Sequence, residues 1–238
     1  LQPEQIMANL RVLADHFAWP PPGNGHKSSE GWVVIGPSRA ADGRDYFVDS
    51  DNNFWRMLNY VERATSFDRV RDGGQAREAG RGLGFFHRLL WDLDPTMLAD
   101  TLPGFHVTPN YLADYDRVLQ QPGRQLSSVD EEYCARLIEG QRSLASVLED
   151  AARQGLLAGR VIHGDPKLTN IMFDEKTGRA VSMVDLDTVK PGLLHYDIGD
   201  CLRSCCNLAG DNLEKLASVR FDPDACRNLL EGYVAELA

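Results

Sequence analysis

The sequence lacks any run of eighteen or more apolar residues, so it predicts no membrane-spanning helix. Its first residues also lack the basic-then-apolar order of a signal peptide. These two absences favour a cytoplasmic protein without a membrane partner.

An excess of positive charge is missing too. The 238 residues contain 25 Lys and Arg against 35 Asp and Glu, which gives a formal net charge of −10 at pH 7. Because nucleic-acid phosphates bind to clustered basic side chains and these are scattered, we expect no nucleic-acid partner. An acidic balance favours a cationic substrate only weakly, since it also serves solubility.

The cysteines do not form the pattern of a disulfide framework or a zinc site. Their number is five, and no CxxC spacing occurs. Three of them, Cys201, Cys205 and Cys206, fall in one predicted helix that supplies no companion His. We expect these three thiols to be buried packing residues.

Helical periodicity is the dominant pattern in what the sequence does contain. Its hydrophobic fraction of 43% is ordinary for one large or two small globular domains. Apolar spacing and end signals predict helices over residues 1–17, 75–93, 127–155, 197–208 and 223–237, with a shorter one within 99–123. Ser128 and Glu131 have the spacing of a capping box near the start of the third helix.

Strands are predicted in fewer places. They fall at residues 31–38, on both sides of a polar turn at Asp49–Asn53, and between residues 160 and 187, after a Pro/Gly/Ser loop over 19–31. The pattern predicts an α+β fold, with a small strand-bearing part over 1–59 joined to a mostly helical part over 60–238. Such an architecture binds its ligand in a cleft.

The most informative stretch is "VIHGDPKLTNIMFDEKTGRAVSMVDLD", residues 161–187. Asp165 and Asn170 lie five residues apart on a short loop, where both side chains can face one small volume. An apolar hairpin follows, with Gly178 in its turn, and its return strand should bring Asp185 near Asn170. One carboxylate to accept a hydroxyl proton and a pair of oxygen ligands for a cation are what phosphoryl transfer requires.

"HGDPKLTN" followed by "VDLD" resembles the signature of the aminoglycoside phosphotransferase and choline kinase superfamily. Within it, "DLDT" followed by "PGLLHYDIGDCLR" is most similar to N-acetylhexosamine kinase-type members. The resemblance implies a protein-kinase-like bilobal fold with an incomplete N-lobe of a few antiparallel strands. A mostly helical C-lobe would carry the catalytic β-hairpin.

The resemblance also implies roles for particular residues. Asp165 would be the catalytic base, and Asn170 and Asp185 would bind Mg²⁺. Lys167 would contact the transferring phosphate, with a solvated loop lysine as the alternative. The further implied positions are the adenine-binding backbone of Leu58, Asn59, Tyr60 and Val61, the cleft floor at Asp187 and Thr188, and an acceptor pocket at His195 and Tyr196.

We expect structural roles for three polar residues around this signature, which are His163, Asp197 and Asp200. His163 would support the catalytic loop through its ring hydrogen bonds rather than react. Asp197 and Asp200 would cap helix N–H groups or tie the loop down. For His195 and Tyr196, ordinary packing is the alternative to lining a sugar-binding pocket.

The implied function is ATP- and Mg²⁺-dependent transfer of a phosphoryl group to a hydroxyl of a small molecule, foremost an N-acetylhexosamine. Alternatives are an aminoglycoside, choline or homoserine as acceptor, or a non-catalytic nucleotide- or partner-binding module. The family's glycine-rich loop and strand lysine are absent from this sequence. A fragment is favoured over a natural truncation or a degenerate relative, because Asp165, Asn170 and Asp185 are all retained.

Overall fold

The computed structural model describes residues 2–18, 31–210 and 218–238. It divides into two compact units. Unit 1 consists of the residues up to Leu102 together with Arg160–Ala238, and unit 2 is Pro103–Gly159. In the described parts of the chain, no helix is both long and apolar enough to cross a membrane. The lobe boundary expected between residues 59 and 60 stays a prediction.

The described residues contain long helices in both units. Unit 1 has α1 (Pro3–Ala18), α2 (Gly73–Leu89), α6 (Leu194–Cys205) and α7 (Pro223–Leu237). Unit 2 has α3 (Thr108–Leu119), α4 (Val129–Gln141) and α5 (Val147–Arg153). The helices expected at the start of the chain, over 75–93, within 99–123 and at 223–237 are confirmed.

The strands are short, antiparallel and confined to unit 1 within the described ranges. They are β1 (Phe47–Val48), β2 (Phe54–Trp55), β3 (Ala64–Thr65), β4 (Arg160–Ile162), β5 (Ile171–Asp174), β6 (Ala180–Met183) and β7 (Lys190–Gly192). β1 pairs with β2, β3–β5–β6 form one sheet, and β4 pairs with β7. The β5–β6 hairpin and the strands around residues 49–53 were both predicted.

Unit 1 is held together by helix α2 packing on helix α7. A Cβ added at Gly80 would lie 1.9 Å from the carbonyl oxygen of Leu229, and one at Gly232 would lie 2.0 Å from that of Arg77. The two backbones therefore approach more closely than any side-chain-bearing residue would permit. The surrounding core includes Leu10, Leu13, Leu83, Ile171, Phe173 and Cys201.

Two predicted elements are wrong in extent. The segment 31–38, expected as a strand, forms no continuous ladder. Its Val33 N–H donates to the carbonyl oxygen of Val181 at 2.8 Å, and Pro37 makes an isolated bridge with Leu58, which it has no N–H to extend. The strand expected to run to Asp187 ends at Met183 instead, because Asp185 adopts a left-handed backbone (φ 62°, ψ 52°) and begins a 3₁₀ turn over Leu186–Thr188.

The long helix expected over 127–155 is divided. After α4 the backbone leaves the helical region at Gln141 (φ −107°, ψ 3°), and a short 3₁₀ turn precedes α5. At this break, the Arg142 guanidinium donates to both carboxylate oxygens of Asp116 on α3, each at 2.9 Å. Ser128 does cap α4 by accepting from the Glu131 N–H at 3.1 Å, whereas the Glu131 carboxylate reaches back to Ser127.

The remaining differences are small. Helix α6 begins and ends three residues earlier than the predicted 197–208, and β3 and β7 were not predicted. Strand β7 contains Pro191, a residue that argues against a strand from sequence. Cys201, Cys205 and Cys206 are buried, as expected. The predicted loop over 19–31 lies, apart from Gly31, outside the described residues.

Candidate active site

The "HGD" loop connects β4 to β5, and its glycine is required by its surroundings. Gly164 has φ +86°, and a Cβ placed there would lie 2.5 Å from the carbonyl oxygen of Thr188. Thr188 also donates from Oγ1 to the carbonyl oxygen of His163 at 2.9 Å. The loop and the 3₁₀ turn after β6 are therefore in direct contact at this point.

Asp165 presents a partly accessible carboxylate that two neighbours orient. Its Oδ2 accepts from Lys167 Nζ at 2.6 Å and from Asn170 Nδ2 at 3.3 Å. The side chain is 26% exposed. Nδ2 of Asn170 also donates to the carbonyl oxygen of Asp165 at 2.9 Å, which closes the loop on itself.

The hairpin brings Asn170 and the residue before Asp185 together, as predicted. The Val184 N–H donates to the carbonyl oxygen of Asn170 at 2.9 Å. Asp185 is exposed, and its carboxylate makes neither a hydrogen bond nor an ion pair with any described residue. Because the Asn170 amide nitrogen is engaged, its Oδ1 stays available as an acceptor.

This donor set fits Mg²⁺. That ion binds through one or two protein oxygens and takes its other ligands from water and substrate phosphates. An uncommitted carboxylate at Asp185 and the Asn170 Oδ1 are oxygens of this kind. Among the described residues there is no group of three or more His, Cys, Asp and Glu that could hold a metal. Asn170 and Asp185 are the residues whose oxygens would hold such an ion.

Asp187 points to a different partner. Its carboxylate forms a two-pronged pair with Arg56, at 2.7 Å between Nη1 and Oδ1 and 2.9 Å between Nη2 and Oδ2. Its carbonyl oxygen accepts from Thr101 Oγ1 at 3.3 Å. Asp187 and Thr188 thus lie in the turn next to Asp185, and both are fixed by contacts.

Beneath the loop, the fully buried carboxylate of Asp197 binds two consecutive backbone N–H groups. Its Oδ2 accepts from His163 N at 2.6 Å, and its Oδ1 accepts from Gly164 N at 2.9 Å. The ring of His87 adds a third contact, from Nε2 to Oδ2 at 2.8 Å. Burial alone would raise the pKa of Asp197, but the hydrogen bond from His87 and these further partners hold it below the usual value. The loop-anchoring role expected for Asp197 is confirmed.

His87 continues this network to helix α7. Its Nδ1 lies 3.0 Å from the hydroxyl of Tyr233, and burial raises the pKa of that phenol to about 12. The Asp197 carboxylate can only accept, so Nε2 of His87 donates to it, and the other ring nitrogen, Nδ1, faces the Tyr233 hydroxyl. Three helices converge on the back of the loop.

His163 supports the loop as the sequence predicts. Its Nε2 lies 3.0 Å from the carbonyl oxygen of Val184, and its Nδ1 accepts from the Asp165 N–H at 3.3 Å. Burial lowers the pKa of His163, although the charge of Asp197 opposes that effect. A buried neutral ring that links the loop to the β6 end has a structural role.

With this geometry established, the family follows from comparison. The protein-family model described as "Phosphotransferase enzyme family" matches residues 10–229. The chain belongs to this phosphotransferase family. The "HGDPKLTN" loop, the hairpin and Asp185 all lie inside the matched region.

Solved structures show the same fold. An aminoglycoside phosphotransferase from Alicyclobacillus acidocaldarius is similar with a TM-score of 0.63 at 12% identity, covering 99% of this chain and 66% of that one. A microcompartment-associated aminopropanol kinase gives 0.59 at 19%, covering 99% and 71%. An amicoumacin kinase gives 0.54 at 13%, covering 99% and 63%. This chain spans about two thirds of their lengths, and the protein-kinase-like fold is shared.

The residues expected to bind the adenine edge lie beside the chain segment 34–37. Asn59 donates from Nδ2 to the carbonyl oxygen of Val34 at 2.9 Å and accepts from the Gly36 N–H at 2.7 Å. Tyr60 is 80% exposed, while Val61 is buried and Leu58 packs on the core. The roles of these four residues stay predictions.

His195 and Tyr196 lie in the first turn of α6, with His195 exposed and Tyr196 half-buried. Their expected role in an acceptor pocket also stays a prediction. Asp200 on the same helix accepts from Arg203 at 2.8 Å through Oδ1, and its side chain is only 12% exposed, with Oδ2 buried and without a hydrogen-bond partner among the described residues.

Sequence reasoning missed Arg56, His87 and Tyr233. His87 follows Ala76, Ala79, Gly80 and Leu83 on the buried face of α2, so its helical spacing could have marked it as a buried polar residue in need of partners. No comparable local signal exists for Arg56, because its partner lies 131 residues away.

Proposed function

We propose that this protein is an ATP-dependent small-molecule kinase that transfers the γ-phosphoryl group to a hydroxyl of its acceptor. The observation that carries the proposal is the arrangement of Asp165, Asn170 and Asp185. The oriented, partly exposed Asp165 carboxylate accepts from the Asn170 amide, and the carbonyl oxygen of Asn170 accepts from the N–H of Val184, the residue before Asp185. Family membership supports the same chemistry.

Asp165 is the base in this proposal. As the acceptor oxygen bonds to the γ-phosphorus, the proton of that hydroxyl passes to the Asp165 carboxylate, the bond to the β-phosphate oxygen breaks, and ADP leaves. Lys167 lies in the same loop, is 33% exposed and is bound to Asp165. In this proposal it contacts the transferring phosphate. Mg²⁺ held by Asn170 and Asp185 would neutralise the phosphate charge.

ATP and a divalent cation are supported by a solved relative. The amicoumacin kinase was solved in complex with AMP-PNP, Ca²⁺ and Ami. We assign Mg²⁺ to this chain because carboxylate and amide oxygens beside substrate phosphates are its preferred ligands. The backbone of residues 58–61 would bind the adenine edge, and Asp187, Thr188, His195 and Tyr196 would be near the acceptor.

An N-acetylhexosamine is the proposed acceptor, and the sequence "DLDT" followed by "PGLLHYDIGDCLR" supports it through the resemblance stated above. An amine-bearing hydroxyl compound such as an aminoglycoside, choline or homoserine is the second candidate. The similar structures include an aminoglycoside phosphotransferase and an aminopropanol kinase, and the net charge of −10 favours a cation. A non-catalytic nucleotide-binding module is the candidate of another class.

The test is ATP consumption by the full-length gene product with Mg²⁺ against a panel of N-acetylhexosamines, aminoglycosides, choline and homoserine. Turnover on one acceptor should fall by at least about a hundredfold in Asp165→Asn, because the base is lost while the loop keeps its shape. Asp224→Asn, at a side chain on helix α7 that is 80% exposed, is the matched control. AMP-PNP binding with no turnover on any acceptor would favour the non-catalytic module.

A further inference from the structure

The 3₁₀ turn Leu186–Thr188, which follows Asp185, is fixed by three side-chain contacts. Thr188 Oγ1 donates to the carbonyl oxygen of His163 at 2.9 Å, and Thr101 Oγ1 donates to that of Asp187 at 3.3 Å. The third contact is the pair between Arg56 and the Asp187 carboxylate, and it is the one ionic contact among the three. Arg56 is therefore the charged side chain among the three contacts that fix this turn.

The Arg56–Asp187 pair has the geometry of a specific contact. Two parallel N–H···O bonds of 2.7 and 2.9 Å join the two groups, and their side chains are only 30% and 24% exposed. A two-pronged, partly buried pair fixes direction as well as distance, whereas a solvated surface pair contributes little. Arg56 itself stands on a fixed base, because the next residue, Met57, accepts from the Ser38 N–H at 2.9 Å.

Asp185 depends on such contacts for its conformation. A non-glycine residue with φ 62° is held in the left-handed region at a cost that neighbouring contacts must offset. Its own side chain contributes nothing here, since no described residue binds its carboxylate. Val184 fixes the chain on one side of Asp185, and the turn containing Asp187 fixes it on the other.

We propose that Arg56, acting through Asp187, is a positioning residue for Asp185 and thereby sets the affinity of the site for its divalent cation. The inference rests on the proposed function, in which Asp185 is a metal ligand. Neither Arg56 nor Asp187 need touch the metal. Their pair holds the turn in the one shape that presents the Asp185 carboxylate beside Asn170.

Electrostatics alone predicts a different pattern, and this makes the inference testable. Removing the Arg56 charge leaves the site more negative, so Arg56→Gln alone should bind a cation more tightly, and Asp187→Asn more weakly. The double variant Arg56→Gln/Asp187→Asn has the same net charge as the wild type. A positioning role predicts weaker binding in all three variants, whatever the change in charge.

The experiment is a Mn²⁺ titration of the full-length protein in the presence of AMP-PNP, followed by the relaxation enhancement of water protons, which requires no turnover. We expect Arg56→Gln and the charge-matched double variant to bind Mn²⁺ about three- to tenfold more weakly than wild type, with the double variant no worse than the weaker single one. Arg56→Lys, which keeps the charge but not the two-pronged geometry, should recover part of the loss.

Tighter Mn²⁺ binding in Arg56→Gln, or wild-type binding in the double variant, would overturn the inference and leave Arg56 with a purely electrostatic effect. Asp185→Asn separates this failure from that of the proposed function. If that variant binds Mn²⁺ as the wild type does, Asp185 is not a ligand and the metal site itself is wrong.

Discussion

Replacing Asp197 with Asn tests the account of the loop most directly. The carboxylate is fully buried and accepts from the N–H groups of His163 and Gly164 and from the ring of His87, all within 2.6 to 2.9 Å. An amide of the same shape keeps one acceptor oxygen and turns an NH₂ group toward a donor. The charge that strengthens these bonds is lost as well.

The expected cost is about 3–5 kcal/mol of unfolding free energy, the range for removing one partner from a buried charged network. Urea denaturation followed by circular dichroism measures it, from the shift in the midpoint at unchanged slope. At urea concentrations below the unfolding transition, the rate of phosphoryl transfer should fall as well. The reason is that the two N–H groups that fix the "HGD" backbone would no longer both have a carboxylate oxygen to bind.

Asp224→Asn is the matched control, since it makes the same substitution on helix α7 of the same unit, at a side chain that is 80% exposed and pairs with Arg227. It should change the unfolding free energy by less than about 1 kcal/mol. If Asp197→Asn were no more destabilising than Asp224→Asn, the buried network would contribute nothing specific, and the anchoring of the loop would need another cause.

Two further predictions concern the same loop. Gly164→Ala should destabilise the protein by more than about 2 kcal/mol and abolish transfer, because the new Cβ would lie 2.5 Å from a backbone oxygen. Gly178→Ala, at φ +69° with open space around it, should cost only about 1 kcal/mol. Equal losses of unfolding free energy in urea denaturation would contradict this reasoning. The second is a pH dependence. Burial lowers the pKa of His163 in the folded state, so the unfolded chain binds a proton that the folded one does not once the pH falls below about 6.5. Stability should therefore decrease as the pH falls from 6.5 to 5.5, and a His163→Gln variant that kept the same slope would rule out this assignment.

The local spacing of apolar residues was sufficient to predict much of the fold. Helix α1 follows from the spacing of Ile6, Leu10 and Leu13, all of which are buried. The break after α4 could not be predicted, because the helices of unit 2 have no fully buried residues, so their periodicity carries little information. At the break, Arg142 pairs with Asp116, and these two residues are 26 positions apart.

The candidate site likewise combines residues that local spacing predicts with residues that it does not. Asp165, Asn170 and Asp185 lie within one loop and one hairpin, so spacing alone brought them together. The partners that hold them come from elsewhere: Arg56 is 131 residues from Asp187, and His87 is 110 residues from Asp197. No local pattern encodes such pairings, since each side chain is polar in a segment whose periodicity reports only which face is buried.

The convergence of α2, α6 and α7 behind the loop has a consequence for the order of folding. Tyr233 and His87 are separated by 146 residues, and chain segments so distant meet slowly because closing a long loop costs entropy. The β5–β6 hairpin, by contrast, can form within microseconds from adjacent residues. We therefore expect the hairpin between Asn170 and Asp185 to form early, whereas the support of the "HGD" backbone is among the last features to assemble.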